Sequence, residues 1–396
     1  MSGAKTKRVL SLSTLFPNSA QPRFGIFVAK SLEALAKSTH WEPTVINPIG
    51  LPPLAFGRYK MLAEAAQDGH NFGVDVHRPT FRLIPKFGGR LNPALIAKAV
   101  LPLARRLHSE TPFDLVDAQF FYPDGPAAMT IAEDLGLPFS VKARGADIHY
   151  WGSRPYGRKA LLETASHATG VLAVCEALAE DMALLGMNRE TITVHYTGLD
   201  RDLFRPLDHI GLRARLADTF GVPLVSDDLL LATVGALVER KGQAYVIKAL
   251  SDLPKGRLLL IGKGADESSL RALAKDVGVA ERVHFLGSLD PSMLPPILSA
   301  SDAMVLPSAS EGLANAWIEA LACGTPIVIT DAGGAREVVT SPDAGVIVAR
   351  TCRAVREGIE LVTAQPRKPE RIAETVDRFS WDANGEALAA YYDGLV

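Results

Sequence analysis

The chain has 396 residues, 47% of them hydrophobic and 22% charged, with a formal net charge of -2 and three cysteines. That length exceeds what one hydrophobic core usually fills, so two domains are expected, and the near-neutral charge excludes a global electrostatic case for nucleic acid. Cys175, Cys323 and Cys352 are too scattered for a disulfide framework or a metal pattern, no apolar run of about 18 residues predicts a membrane span, and a reducing, cytoplasmic compartment fits.

Short β-branched or aliphatic runs alternate with helix-length segments throughout, the pattern of parallel sheets wrapped by helices. The N-terminal stretch is short and broken by polar residues and then Pro17, so it reads as a first strand, not a signal peptide. Strands are expected over residues 8–13, 43–47, 115–118, 139–142, 170–174 and 191–195, with helices over 27–36, 94–107, 125–135, 159–167 and 176–185. Between Asp200 and Asp228 charged residues, Pro206, Gly221 and Pro223 interrupt the rhythm, which marks a domain boundary. Alternation resumes with strands near 229–234, 258–261, 282–286, 303–306, 327–330 and 346–348, and a last helix is expected near 382–392. The predicted class is α/β, with a Rossmann-like doubly wound domain over 1–205 and a second over 206–375. Ligands of such sheets sit beyond the strands' carboxyl ends, so two of them facing each other form a central cleft.

The segment 307–330, PSASEGLANAWIEALACGTPIVIT, places Glu and Gly residues where packing alone does not explain them. A polar loop carries Glu311 and Gly312 into a helix expected near Leu313. The unpaired amides and positive dipole end of that helix suit phosphate or sugar hydroxyls. Gly312 lets the backbone approach a ligand closely. Glu319 lies about six residues into this helix, roughly 9 Å along it, among apolar neighbours such as Trp317, Ile318 and Leu321. A carboxylate there is paired on purpose or is simply a solvated Glu on an amphipathic helix.

This segment resembles the Glu-x7-Glu motif of glycosyltransferase family 4, retaining enzymes with the two-Rossmann architecture called GT-B. The likeness continues through FPNSAQPRFGIF (16–27), FYPDGPAAM (121–129), KARGADIHYW (142–151), HYTGLDRDLFRP (195–206), VGALVERKGQ (234–243), IGKGADESSL (261–270), HFLGSL (284–289) and FSWDANGEALAAYY (379–392). By this resemblance Glu311 hydrogen-bonds donor-sugar hydroxyls, helped by the amides of Leu313, Ala314 and Asn315, and Glu319 grips the ribose. It also implies that the domain over 1–205 binds the acceptor, that the domain over 206–375 binds the nucleotide sugar, and that the helix in 376–396 crosses back to the first domain.

Expelling a nucleoside diphosphate needs fixed positive charge where negative charge develops. Lys241, in the loop GALVERKG after strand 229–234, is the candidate and matches the family's phosphate-binding lysine. The resemblance implies an arginine directly after the glycine of that loop, where this chain has Ala236; Arg240 substitutes or faces solvent, since adjacent residues tend to point apart. Gly25, before the first helix, is either a diphosphate or acceptor contact or a plain turn. Arg144 and Asp147, after strand 139–142, are placed near the acceptor or the reacting sugar, with Asp147 alternatively a helix cap. His149 and His195 are weaker candidates with structural alternatives. Gly262 and Gly264 let the nucleotide approach the sheet edge, their GxG being too incomplete for a dinucleotide fingerprint. Asp200-Arg201-Asp202 is expected to cap or pack, and no metal or cofactor is expected.

Residues 91–108, LNPALIAKAVLPLARRLH, put Leu91, Leu95, Ala99, Leu103 and Leu107 at helical spacing with Lys98, Arg105 and Arg106 off that stripe. Such a helix touches an anionic membrane peripherally or packs on a core with a solvated basic face. The functional expectation is retaining hexosyl transfer from a UDP- or GDP-sugar to a saccharide or lipid-linked saccharide. The alternatives are an epimerase or phosphorylase of the same fold and a catalytically silent sugar-nucleotide-binding subunit. An NAD-dependent oxidoreductase is disfavoured because the first βα loop lacks the glycine fingerprint.

Overall fold

The computed structural model describes residues 6–84, 88–208, 211–225 and 227–396. The boundary interval expected from the sequence includes residues 209, 210 and 226, which lie outside the described residues. The chain divides into two compact units, one comprising residues 1–198 with 381–396 and the other residues 199–380.

The first unit contains strands β1 (Lys7–Leu12), β2 (Trp41–Ile46), β3 (Ile49–Leu51), β4 (Gly69–Asn71), β5 (Val74–His77), β6 (Thr80–Arg82), β7 (Leu115–Ala118), β8 (Phe139–Ala143), β9 (Gly170–Ala173) and β10 (Ile192–Val194). Its helices are α1 (Ile26–Ser38), α2 (Arg58–Glu64), α3 (Asn92–Glu110), α4 (Asp124–Leu135), α5 (Ala146–Gly152), α6 (Pro155–His167) and α7 (Glu176–Leu185). Eight strands form one sheet in the order β10-β9-β8-β7-β1-β2-β5-β4, parallel except for β4, while β3 and β6 pair separately. Strands β7, β8 and β9 are buried at every position, as a sheet covered on both faces requires.

The second unit carries β11 (Leu229–Val234), β12 (Gly256–Ile261), β13 (Val283–Gly287), β14 (Ala303–Leu306), β15 (Ile327–Thr330) and β16 (Gly345–Val348). Around them lie α8 (Leu212–Phe220), α9 (Gln243–Ala249), α10 (Glu267–Asp276), α11 (Leu294–Ala300), α12 (Asn315–Ala322), α13 (Ala335–Val338), α14 (Cys352–Thr363) and α15 (Pro369–Glu374). Its all-parallel sheet runs β13-β12-β11-β14-β15-β16, the doubly wound order in which the chain reverses direction between β11 and β14. A ligand crevice is expected at the carboxyl ends of those two strands.

The last helix, α16 (Trp381–Asp393), belongs to the first unit and packs on α1. Its buried Leu388 and Tyr392 each contribute about 1.5–3 kcal/mol of apolar burial. Asn384 adds directional bonds, accepting from the Ser31 hydroxyl at 2.6 Å and donating to the Tyr196 carbonyl at 2.6 Å.

Candidate active site

The crevice between β11 and β14 in the second unit gathers the strongest group of candidates. After β11 the chain makes a single 3-10 turn over Glu239–Lys241, and after β14 it runs through Pro307 to Ala314 before α12. Arg350, just past β16, fastens the two loops together. Its guanidinium donates to the Pro307 carbonyl at 3.0 Å and the Glu239 carbonyl at 2.8 Å, and lies 4.8 Å over the Tyr245 ring.

Within that frame Lys241 Nζ stands 2.6 Å from Glu311 Oε1, with the two side chains only 12% and 8% exposed. Arg240 Nη1 donates to the Ser310 carbonyl at 2.7 Å and reaches Glu311 Oε2 at 3.4 Å. The neighbouring cations therefore converge on one carboxylate instead of pointing apart. The Ser310 carbonyl and the length of both side chains overcome their divergence along the backbone. Ala236 brings no charge here, and its carbonyl accepts from Gln243 at 2.9 Å.

Helix α12 begins at Asn315, two residues later than the sequence suggests, with Ala314 extended as its cap. Gly312, Leu313 and Ala314 form the approach to it. Among the described residues nothing accepts from the main-chain N–H groups of Leu313, Ala314 and Asn315, which leaves donors at a positive helix end. Glu319, on the same helix, is half-buried, and its carboxylate has no hydrogen-bond partner among the described residues. Burial alone pushes its carboxyl up to about 7. Glu319 is thus neither fully solvated nor paired with a protein group.

Two predicted glycines have local reasons for being glycine. Gly25 has φ 71°, and a Cβ there would lie 2.3 Å from the Leu15 carbonyl carbon, so the turn into α1 requires it. At Gly262, φ 144°, a Cβ would come within 1.9 Å of the Gly235 oxygen. The crossing of the loops after β12 and β11 demands that residue without any ligand.

In the first unit Asp147 is buried, and its carboxylate accepts from the amides of Phe121, Arg144, Gly145 and Ile148 at 2.8 to 3.1 Å, the shortest Arg144 contact being 3.0 Å. With its oxygens occupied by these amides, Asp147 anchors two loops, which is the capping alternative in an extended form. Burial raises its carboxyl pKa, and the amides oppose that rise. Arg144 donates to the Gln119 carbonyl at 2.7 Å and side-chain oxygen at 2.6 Å, lies 4.8 Å over Phe27, and is lowered to about 10 by burial. His149 pairs with Asp181 at 2.8 Å. Asp200 accepts from the Leu203 amide at 3.0 Å, and Arg201 pairs with Asp377.

Sequence reasoning passed over three buried groups. Lys142 Nζ donates to His195 Nδ1 at 2.6 Å, and His195 Nε2 donates to the Asn384 carbonyl at 2.9 Å, an arrangement that needs the neutral ring. Burial drives both pKa values down. Asp124, at the start of α4, accepts from the Thr14 amide at 2.8 Å, and burial lifts it to about 7. Asp117 is lifted to about 6 for the same reason. A lysine in the middle of strand β8 was the one legible signal among these.

Residues 25–203 match the family described as Glycosyltransferase Family 4, and residues 217–378 match Glycosyl transferases group 1. The putative teichuronic acid biosynthesis glycosyltransferase TuaC of Bacillus subtilis is 27% identical over 97% of this chain and 98% of its own length. A GDP-mannose-dependent phosphatidylinositol monomannoside mannosyltransferase of Mycolicibacterium smegmatis is 30% identical, over 50% of this chain and 55% of that protein. Among solved structures, sucrose-phosphate synthase of Thermosynechococcus elongatus superposes with a TM-score of 0.80 at 19% identity, over 98% of this chain and 99% of that one. HepE of Anabaena, in complex with UDP and glucose, superposes with 0.72 at 21% identity, over 97% and 99%. These structural likenesses speak to the fold. Two family matches in tandem, the full-length relative and the doubly wound sheets agree, and the chain belongs to glycosyltransferase family 4, with the GT-B fold.

Proposed function

We propose that this glycosyltransferase moves a hexosyl unit, with retention, from a UDP- or GDP-linked donor to a saccharide or lipid-linked saccharide in polysaccharide or glycoconjugate assembly. The observation that carries this reading is the convergence of Lys241 and Arg240 on Glu311 beside the unpartnered amides of α12. In the proposed mechanism Glu311 accepts donor-sugar hydroxyls and thereby holds the anomeric carbon. Lys241 and Arg240 neutralise the diphosphate as it departs, the charge stabilisation that dominates such reactions. Glu319 takes the ribose hydroxyls, whose donation would supply the partners its carboxylate lacks. The departing phosphate receives the acceptor proton. Incubating the protein with UDP- and GDP-hexoses, with and without saccharide acceptors, tests the reading through nucleotide release and the anomeric configuration of the product. Turnover to a new sugar without acceptor would instead identify an epimerase. Phosphate-dependent cleavage would identify a phosphorylase, and nucleotide binding without turnover a silent subunit.

No metal takes part in this proposal, since Lys241 and Arg240 supply the charge. EDTA is expected to leave the rate unchanged, and loss of activity restored by a divalent cation would overturn that point.

A cytoplasmic chain held peripherally at an anionic membrane is a second element of the reading, supported at a different place from the one first expected. Helix α3 buries Ile96, Ala97, Val100 and Ala104, a stripe offset from Leu95, Ala99 and Leu103, which leaves its apolar face committed to packing, chiefly against α4. Helix α2 buries no residue at all. Beside its Arg58 and Lys60 stand Leu54, Phe56 and Met61, at 71%, 74% and 56% exposure. Apolar side chains flanked by cations suit an anionic lipid surface. Flotation with anionic vesicles is expected to capture the protein at low salt and to fail after Phe56→Ser with Arg58→Glu. Equal flotation of both proteins would remove the idea.

A further inference from the structure

Lys241 and Glu311 meet at 2.6 Å although neither lies in a strand or an α-helix. Each is carried by a loop of its own, one after β11 and the other after β14. The spacing of the pair is therefore set by whatever ties those loops together. Two ties are internal: the Ala309 amide donates to the Arg240 carbonyl at 2.7 Å, and Arg240 Nη1 donates to the Ser310 carbonyl at 2.7 Å. Gly242 lies directly against the Pro307 carbonyl, where a Cβ would come within 2.2 Å of the oxygen. At that point the loops touch backbone to backbone, and no side chain between them holds the distance.

A further tie comes from a third strand. Arg350 follows β16, at the edge of the sheet and separated from β14 by β15. Its Nε donates to the Pro307 carbonyl at 3.0 Å, and its Nη2 to the Glu239 carbonyl at 2.8 Å, with the Arg240 carbonyl at 3.5 Å. One planar, charged fork thus spans carbonyls of both loops, a geometry that guanidinium offers and the single ammonium of a lysine does not. Its charge also offsets the repulsion between carbonyl dipoles brought to one place. The Tyr245 ring, on α9 directly after the first loop, backs the guanidinium at 4.8 Å. Among the described residues Arg350 makes no bond to the Lys241 or Glu311 side chains, so its influence on them passes through the loop backbones.

We infer that Arg350, seated on Tyr245, is a positioning residue that fixes the loop spacing at which Lys241 and Glu311 meet and thereby sets the rate of transfer. Its part in turnover rests on the transferase reading above; its hold on Lys241 does not. Acylating the full chain with an N-hydroxysuccinimide ester, followed residue by residue by mass spectrometry, tests that hold. Arg350→Ala and Tyr245→Leu should each speed labelling of Lys241 several-fold, while Lys248, exposed on α9, labels at the parent rate. Arg350→Lys, which keeps the charge but reaches one carbonyl at a time, should fall between. In the transferase assay Arg350→Ala should lower kcat by about tenfold with donor KM unchanged, short of the roughly 10²-fold that a full 1 Å misplacement can cost. Added to Lys241→Ala, the same substitution should cost little more, because the group it places is already gone. Unchanged labelling of Lys241, an equal loss of kcat in both backgrounds, or a raised donor KM with kcat intact overturns the inference. Absence of transfer by the parent from every UDP- and GDP-hexose, with Lys241 still labelled faster in Arg350→Ala, would instead defeat the transferase reading and leave the hold on Lys241 standing.

Discussion

Replacing Lys241 by Ala is expected to lower turnover by about 10²–10³-fold, and replacing Glu311 by Gln to do the same, the usual loss when a preorganised charge contact to a transition state is removed. The two substitutions disturb the resting protein differently. Lys241→Ala leaves Glu311 with Arg240 still 3.4 Å away, so the carboxylate keeps a counter-charge. Glu311→Gln leaves the Lys241 ammonium, 12% exposed, facing a neutral amide. A buried charge deprived of its partner typically costs about 3–5 kcal/mol, so the second variant should melt at a lower temperature than the first. Kinetics then separates catalysis from mere stability. A role confined to the transition state lowers kcat and kcat/KM together, whereas uniform binding raises KM alone. Arg240→Ala should produce a smaller loss, because half of its side chain stays in water and its charge is partly screened. Near-normal kcat in both Lys241→Ala and Glu311→Gln would sink the site assignment.

The geometry behind these expectations was only partly legible beforehand. Strands such as Leu229–Val234 and Ile327–Thr330 are continuous aliphatic runs because both faces of their sheet are covered, and they stand where the composition puts them. Strand β4 and helix α2 left no such trace. Gly69–Asn71 is wholly exposed, and Arg58–Glu64 buries nothing, so neither has an apolar period to detect. The same distinction runs through the site. Lys241 and Glu311 each follow a strand directly, so topology alone brings them to one crevice. Whether Arg240 joins them depends on the Ser310 carbonyl, a contact 70 residues away in sequence. Asp147 becomes a loop anchor only because the Phe121 amide, from another loop, completes its coordination.

Glu319→Gln is expected to make the protein more stable and less competent at once. The Glu319 carboxyl is raised to about 7 by burial alone, from its ordinary value of 4.5. Between those values the unfolded chain has released this proton while the native chain still holds it. Native stability therefore falls as pH rises across the window, and the full penalty is present above about 7. Glutamine removes the ionisation, so the variant should melt at the same temperature as the parent near pH 4.5 and higher at pH 8. The gain is roughly 2–4 °C for each kcal/mol recovered, as expected for a unit of this size. An uncompensated carboxylate persists in a native fold when something outside the protein satisfies it, and ribose hydroxyls donating to it would draw its pKa back down. Nucleotide binding near pH 6.5 should then release protons, seen as a calorimetric enthalpy that changes with the ionisation enthalpy of the buffer. In Glu319→Gln that dependence should vanish, and affinity for UDP or GDP should weaken. A variant that melts no higher at pH 8 would show that the carboxylate is solvated after all. Unchanged nucleotide affinity together with the predicted stabilisation would remove Glu319 from the donor site while leaving its burial intact.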